Sequence, residues 1–256
     1  MPVPPDNRIR INKCLADKGF ATRKGADALI EAGKVFVNGT RAVLGQKVGL
    51  EDKVEVRGDK PQSYRYVAYN KPAGYVTHSP MEGEKEIGDV FNMDGLFPVG
   101  RLDKNSEGLL ILTNDGRVTD RLLNPKYDHE KEYAVKISTT VSPSFAKKLE
   151  SGVNINSPTP PARGGVPSPR GGVVGEKYLT KPCKVNLVDA HHFTIALTEG
   201  KKHQIKRMTE ALGVSVVSLK RLRVMNIKLG NLKSNTGREI ADKELQTFLK
   251  SLGLTS

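Results

Sequence analysis

The chain has 256 residues, 37% hydrophobic and 27% charged, a balance that supports globular domains with a sizeable core and excludes the disordered and membrane-spanning classes. Forty-one Lys and Arg against 28 Asp and Glu leave a formal charge of +13. That excess suits a polyanionic partner, and nucleic acid comes first because no long cationic amphipathic helix offers itself to a membrane surface. Cys14 and Cys183 form no C-x-x-C pair, which argues against a disulfide framework and a zinc-thiolate site, and the absence of a signal-type apolar stretch implies a cytoplasmic protein.

In chain order, the first 60 residues read as a small module. A helix is expected over 9–18, closed by Gly19, and a second over 22–32, with Thr22 as N-cap and Gly33 as the stop. The apolar strand 35–37, an Asn38-Gly39 hairpin turn and the alternating strand 53–57 follow. Arg8, Arg10, Lys13, Lys18, Arg23 and Lys24 crowd the helical part, where they either track phosphates or form an ordinary solvated face.

A polar, proline-containing linker is placed at 61–63. Beyond it, strands are expected at 66–69, 75–77, 109–112, 133–137, 184–188, 193–197 and 214–219, with a turn at 70–74. Helices are expected near 117–123, 142–151, 202–211 and 242–252. This is an α+β pattern with mainly β connectivity. The Pro- and Gly-rich stretch 157–175, with Arg163 and Arg170, reads as a long exposed loop.

The densest chemistry lies between Phe97 and Gly116. Asp103, Asn105, Glu107 and Gly108 imitate the start of a calcium loop, but its twelfth position is Asn114 instead of a bidentate Glu and an apolar strand replaces its second half. Asp103 is then either a turn or capping residue or a working carboxylate. The glycines at 171, 172 and 175 lack the spacing of a phosphate-binding loop. In the stretch 198–213, Ile205, Met208 and Leu212 stand at helical spacing and would bury one stripe, while Lys206 and Arg207 leave on other faces. From 201 to 233 the basic residues are opposed by Glu210 alone.

Taken in order, these stretches resemble a pseudouridine synthase of the branch that modifies ribosomal RNA and carries an N-terminal S4-like domain. Residues 8–39 are similar to the S4 RNA-binding module. Asn70-Lys71-Pro72-Ala73-Gly74 resembles the Lys-Pro turn of the catalytic domain, and Gly100-Arg101-Leu102-Asp103 resembles the motif of the catalytic aspartate. Residues 128–133 match the segment that supplies the active-site Tyr133, and 199–208 match the segment that supplies a basic partner to the aspartate. The strings 128–133 and 223–226 look most like the RluF subgroup, which acts on large-subunit RNA.

The resemblance implies an S4-like α/β module at 1–60, a linker at 61–63 and, at 64–256, a mainly antiparallel β-sheet catalytic domain with flanking helices. It implies isomerisation of a specific uridine, with Asp103, Tyr133 and Lys206 as catalytic residues. RNA contacts would come from Arg101, Lys71, Arg207, Arg8, Arg10, Lys13, Arg23 and Lys24. Lys206 stands where arginine is the commoner family residue, giving a point charge in place of a bidentate fork. No metal or organic cofactor is expected. The partner would be ribosomal RNA or a ribosome-assembly intermediate, met by a monomer. The rival is a non-catalytic RNA-binding or ribosome-assembly protein that keeps the fold.

Overall fold

The computed structural model describes residues 8–58, 63–156 and 177–254. The stretch 157–175 and most of the linker at 61–63 lie outside them.

In the N-terminal module, β1 (Ile9–Arg10) leads into α1 (Ile11–Asp17) and α2 (Arg23–Glu31). Both helices are shorter than the expected 9–18 and 22–32: Ile9 and Arg10 pair with β4 as a strand, and Lys18, Thr22 and Ala32 are caps. The Thr22 hydroxyl accepts from the Gly25 amide at 3.2 Å, and Gly19 and Gly33 adopt the positive φ that stops each helix. β2 (Val35–Val37) turns through Asn38 and Gly39, both at positive φ, into β3 (Thr40–Arg41), as a two-residue hairpin requires. β4 (Lys47–Val48) pairs with β1, and β5 (Val54–Val56) with β2. Ile11, Leu15, Ala26, Ile30, Val35 and Val54 share one core, so the module closes its own apolar faces.

The remaining chain builds around one large sheet. β6 (Tyr66–Lys71), β7 (Phe97–Val99) and β8 (Glu107–Thr113) pair antiparallel. β6 is buried throughout and β8 nearly so, and alternate residues of β8 serve opposite cores. Leu109 and Ile111 join Val118 and Leu122 of α3 (Arg117–Leu123), whereas Leu110 and Leu112 join Val67, Tyr69, Ile87 and Leu96. Next come β9 (Lys131–Ile137), α4 (Pro143–Glu150), the short pair β10 (Asn154–Asn156) and β11 (Lys177–Leu179), β12 (Lys184–Leu187) and β13 (His192–Leu197). α5 (Gln204–Glu210), β14 (Val216–Val224), β15 (Ile227–Lys228), β16 (Gly237–Glu239) and α6 (Asp242–Ser251) complete the order.

Strands run β12-β13-β9-β14-β8-β6-β16 across the sheet, with β15 and β7 attached to β14 and β8. Every pair is antiparallel except β14 with β8, which run parallel. The α+β class with a mainly antiparallel sheet therefore stands. Phe145 and Leu149 of α4 and Ile205 and Met208 of α5 pack against β9, β13 and β14 in a core of their own.

Several local expectations need correction. The turn placed at 70–74 loses Asn70 and Lys71 to β6, because both pair with β8 and their side chains bond inside the protein. Residues 75–77 form no strand and hold one isolated bridge, Val76 to Glu86. The strand placed at 214–219 starts at Val216 and runs on to Val224, since Lys220 and Arg221 are the residues that meet β8. The module is tied to the sheet domain by the Tyr64 hydroxyl, which donates to the Asp17 carbonyl at 2.8 Å. Tyr64 lies under the guanidinium of Arg117, itself bonded to the fully buried Asp115.

The parallel contact sets the geometry at the centre. Lys71 pairs with Gly108, Gly108 with Arg221, Arg221 with Tyr133 and Tyr133 with Ile195, making one row across five strands. Gly108 has φ 105°, and a Cβ there would sit 2.4 Å from the Arg221 carbonyl oxygen. Gly108→Ala should therefore cost roughly 2 to 4 kcal/mol in urea unfolding, strain and collision combined. Gly39→Ala, which also has positive φ but nothing within 4 Å, should cost only about 1 kcal/mol.

Candidate active site

The loop 100–106 that carries Asp103 runs directly into β8, which meets β14 from Glu107 onward, and three buried side chains hold it. Lys71, with no solvent exposure, donates from Nζ to the carbonyls of Pro72 at 2.9 Å and Ser106 at 2.8 Å, with longer contacts to those of Asp103 and Lys104. Thr77 Oγ1 donates to the Leu102 carbonyl at 2.9 Å and accepts from its amide at 3.0 Å. Arg221, 5% exposed, donates from Nε to the Leu109 carbonyl at 2.6 Å and reaches the Arg101 carbonyl at 3.5 Å. A loop crowded with carbonyls next to a buried sheet needs such donors, because an unmade buried hydrogen bond is costly.

What this scaffold presents is the Asp103 carboxylate, about one-third exposed. The turn that begins at Asp103 uses its backbone carbonyl, which accepts from the Ser106 amide at 3.0 Å; among the described residues no backbone amide donates to the carboxylate itself, so no capping bond accounts for the side chain. Its Oδ1 lies 3.4 Å from Nε2 of His203. Lys206, expected to pair with Asp103, makes no such ion pair among the described residues. It stands on α5, three positions beyond the imidazole that occupies that place. Tyr133 is half-buried on β9, in register with Arg221.

The other expected site residues divide. Arg101 is exposed next to Asp103, and its charge joins burial in lowering the pKa of His78. Lys71 departs from its expected RNA contact: its ammonium is sealed inside. Burial pushes its pKa down to about 8, with Asp103 opposing, Arg221 adding to the fall and Glu107 opposing. Lys131, on β9, is likewise pushed down to about 8 by burial and then by Arg221, so cations crowd this end of the sheet. Arg207 spends one guanidinium nitrogen on the Asn156 carbonyl.

Arg8, Arg10 and Arg23 are exposed on the module, and Lys13 pairs with Asp17 at 2.8 Å. Lys24 lies in α2. Lys13 and Arg23 line a cleft of about 800 Å³ together with Arg121, Lys126 and Tyr127 of the sheet domain. The Tyr127 ring there is flanked by the cations of Arg121 and Lys126.

Sequence reasoning does not single out His203, Arg221 or Thr77 as site residues. His203 and Arg221 are visible only as members of a basic stretch, and nothing local distinguishes Thr77. Glu199, 6% exposed, is visible as part of the motif but not as its anchor. It accepts from Gln204 Nε2 and Tyr178 Oη, both at 2.5 Å, and from the Lys181 amide at 3.0 Å.

Comparison with known proteins gives a consistent result. The family model described as RNA pseudouridylate synthase matches residues 65–211, and that of the S4 domain matches residues 9–54. The chain is 35% identical over 253 residues to the dual-specificity RNA pseudouridine synthase RluF of Escherichia coli (strain K12), covering 96% of this chain and 80% of that protein. It is 32% identical over 244 residues to ribosomal large subunit pseudouridine synthase B of Bacillus subtilis (strain 168), covering 93% and 94%. A crystal structure of a pseudouridylate synthase superposes with a TM-score of 0.64 at 27% identity, covering 95% of this chain and 99% of that one.

Lys71 gives a test of the loop itself. Its folded pKa of about 8 lies below the ordinary lysine value of about 10.4, so the unfolded chain binds more protons between those values. Its contribution therefore makes stability rise with pH across that window. Lys71→Met should flatten this slope in urea titrations run from pH 8 to 10. It should also speed hydrogen exchange at the Leu102 and Ser106 amides by roughly 10- to 100-fold, because the charge-assisted bonds that hold the loop are gone.

Proposed function

The chain belongs to the RNA pseudouridylate synthase family, and we propose that it isomerises a specific uridine of ribosomal RNA, in the large subunit, with Asp103 as the carboxylate that works at the sugar. The observation that carries this assignment is a partly exposed aspartate without capping duty on a loop braced by Lys71, Thr77 and Arg221.

Isomerisation breaks the bond from N1 to C1′, turns the uracil, joins C5 to C1′ and releases the C5 proton. Asp103 acts at C1′, either as a nucleophile or by supporting positive character there while a sugar proton leaves. Fixed loop geometry favours both routes, because the reacting carboxylate loses little freedom on the way to the transition state. The cations of Lys71 and Arg221 beneath the loop and Lys206 on α5 supply positive potential around the reacting carboxylate.

A stacked uridine must leave its helix to reach Asp103, at a cost of roughly a few kcal/mol. Arg101 fills the vacated position or holds a phosphate, and Tyr133 stacks on the flipped base or assists removal of the C5 proton. Residues 1–60 act as the RNA-binding module and 64–256 as the catalytic domain. Arg8, Arg10, Arg23 and the basic cleft lined by Lys13, Arg121 and Lys126 draw the RNA backbone to both.

Tritium release from ribosomal RNA labelled at uridine C5 tests the chemistry. Wild type should release tritium, and Asp103→Ala should lose roughly 10³-fold or more in rate while RNA affinity stays nearly intact. RNA binding by wild type with no release from naked RNA, subunits or assembly intermediates would favour the non-catalytic rival. Separately, Arg10→Glu with Arg23→Glu should weaken RNA binding and flatten its salt dependence, by roughly one released counterion for each phosphate that the two arginines neutralise. An unchanged slope would remove the module face from the RNA interface.

A further inference from the structure

Among the described residues the carboxylate of Asp103 meets one titratable partner at ion-pair distance, His203 Nε2 at 3.4 Å, and the backbone that delivers this ring is unusual. His203 has φ 53° and ψ 31°, the left-handed conformation that a non-glycine residue rarely adopts. It stands at the junction between the loop 199–203 and α5. Its carbonyl accepts the first helical bond, from the Arg207 amide at 3.0 Å.

The neighbours explain why the junction does not relax. Gln204, 4% exposed, accepts from the Lys201 amide at 2.9 Å through its side-chain oxygen and donates to buried Glu199 through its nitrogen. Glu199 in turn is held by Tyr178 and Lys181. Ile205 and Met208 then anchor α5 in the core. The loop is thus fixed on one side by a buried polar network and on the other by packing, while the Asp103 loop is fixed from beneath by Lys71, Thr77 and Arg221. Two braced loops meet where the imidazole and the carboxylate touch.

We infer that His203 is a positioning residue for the isomerisation: its ring holds the Asp103 carboxylate in the orientation that the flipped uridine meets. The inference rests on the assignment of Asp103 as the working carboxylate. A backbone locked in the left-handed region is a fixed mount for a ring, and small errors in the placement of a reacting group carry large penalties in rate.

The same backbone supplies a discriminating experiment. Glycine adopts the left-handed conformation freely, so His203→Gly removes the ring while leaving the junction's geometry in place. Single-turnover tritium release and urea unfolding would be measured on full-length wild type, His203→Gly, His203→Gln and Asp103→Ala with C5-labelled ribosomal RNA.

The expected result is wild-type or slightly higher stability for His203→Gly, a maximal rate lower by roughly 10- to 100-fold and little change in the RNA concentration that half-saturates the reaction. His203→Gln, whose amide can donate to the carboxylate, should recover part of the rate. A wild-type maximal rate in His203→Gly would overturn the inference. So would a change confined to half-saturation, which would mean that the ring contacts RNA instead of orienting Asp103. Full activity in Asp103→Ala would instead remove the assignment of the carboxylate, a failure distinguishable from that of His203.

Discussion

Lys71 and Arg221 lie inside the sheet with almost no contact with solvent, and a buried ammonium or guanidinium must find its acceptors within the protein. Here the acceptors are the Pro72 carbonyl and the carbonyls of one loop, residues 101–106, and of the strand that follows it. The arrangement satisfies both parties. The cations gain partners that water can no longer supply, and the loop gains donors that an irregular backbone segment lacks. Asp103 inherits its position from this exchange. The close approach that permits it depends on Gly108, where β14 and β8 run parallel at a separation no side chain could share.

Electrostatics extends the consequence outward. Burial above all, with the charge of Arg221 adding to it, lowers the pKa of both Lys71 and Lys131, and the sheet tolerates these enclosed cations near an aspartate at the edge of solvent. A cluster of fixed cations under the Asp103 loop makes the surrounding surface attractive to a phosphate backbone. The N-terminal module carries exposed arginines of the same sign, and the bond from Tyr64 to Asp17 joins the two regions. Positive charge exposed to a polyanion thus lies on both parts of one chain.

Legibility in the sequence follows how local the cause of each feature is. The helix 117–123 is legible as it occurs, and so are the Asn38-Gly39 turn, the Thr22 cap and the two glycine stops, because each rests on neighbours in the chain. β1, β7, β15 and β16 leave no such signal. Each is two or three residues long, and a partner strand, not its own pattern, makes it a strand. Asn70 and Lys71 look like turn residues because they are polar, and only the ladder to β8 turns them inward. Motif position points to Lys206 as the partner of Asp103, whereas an unusual backbone conformation at His203 brings a different side chain there.

The sequence by itself determined the class of partner, the two-part organisation, the helices with their caps and the motif that contains Asp103. These follow from charge count, hydrophobic period and short-range turn chemistry, all of which act over a few residues. Only the tertiary structure decided which cations are buried under the Asp103 loop, which meet solvent and which group touches the aspartate. Those outcomes depend on strands far apart in the chain meeting at one row, and on the need of every buried charge and carbonyl to find a partner there.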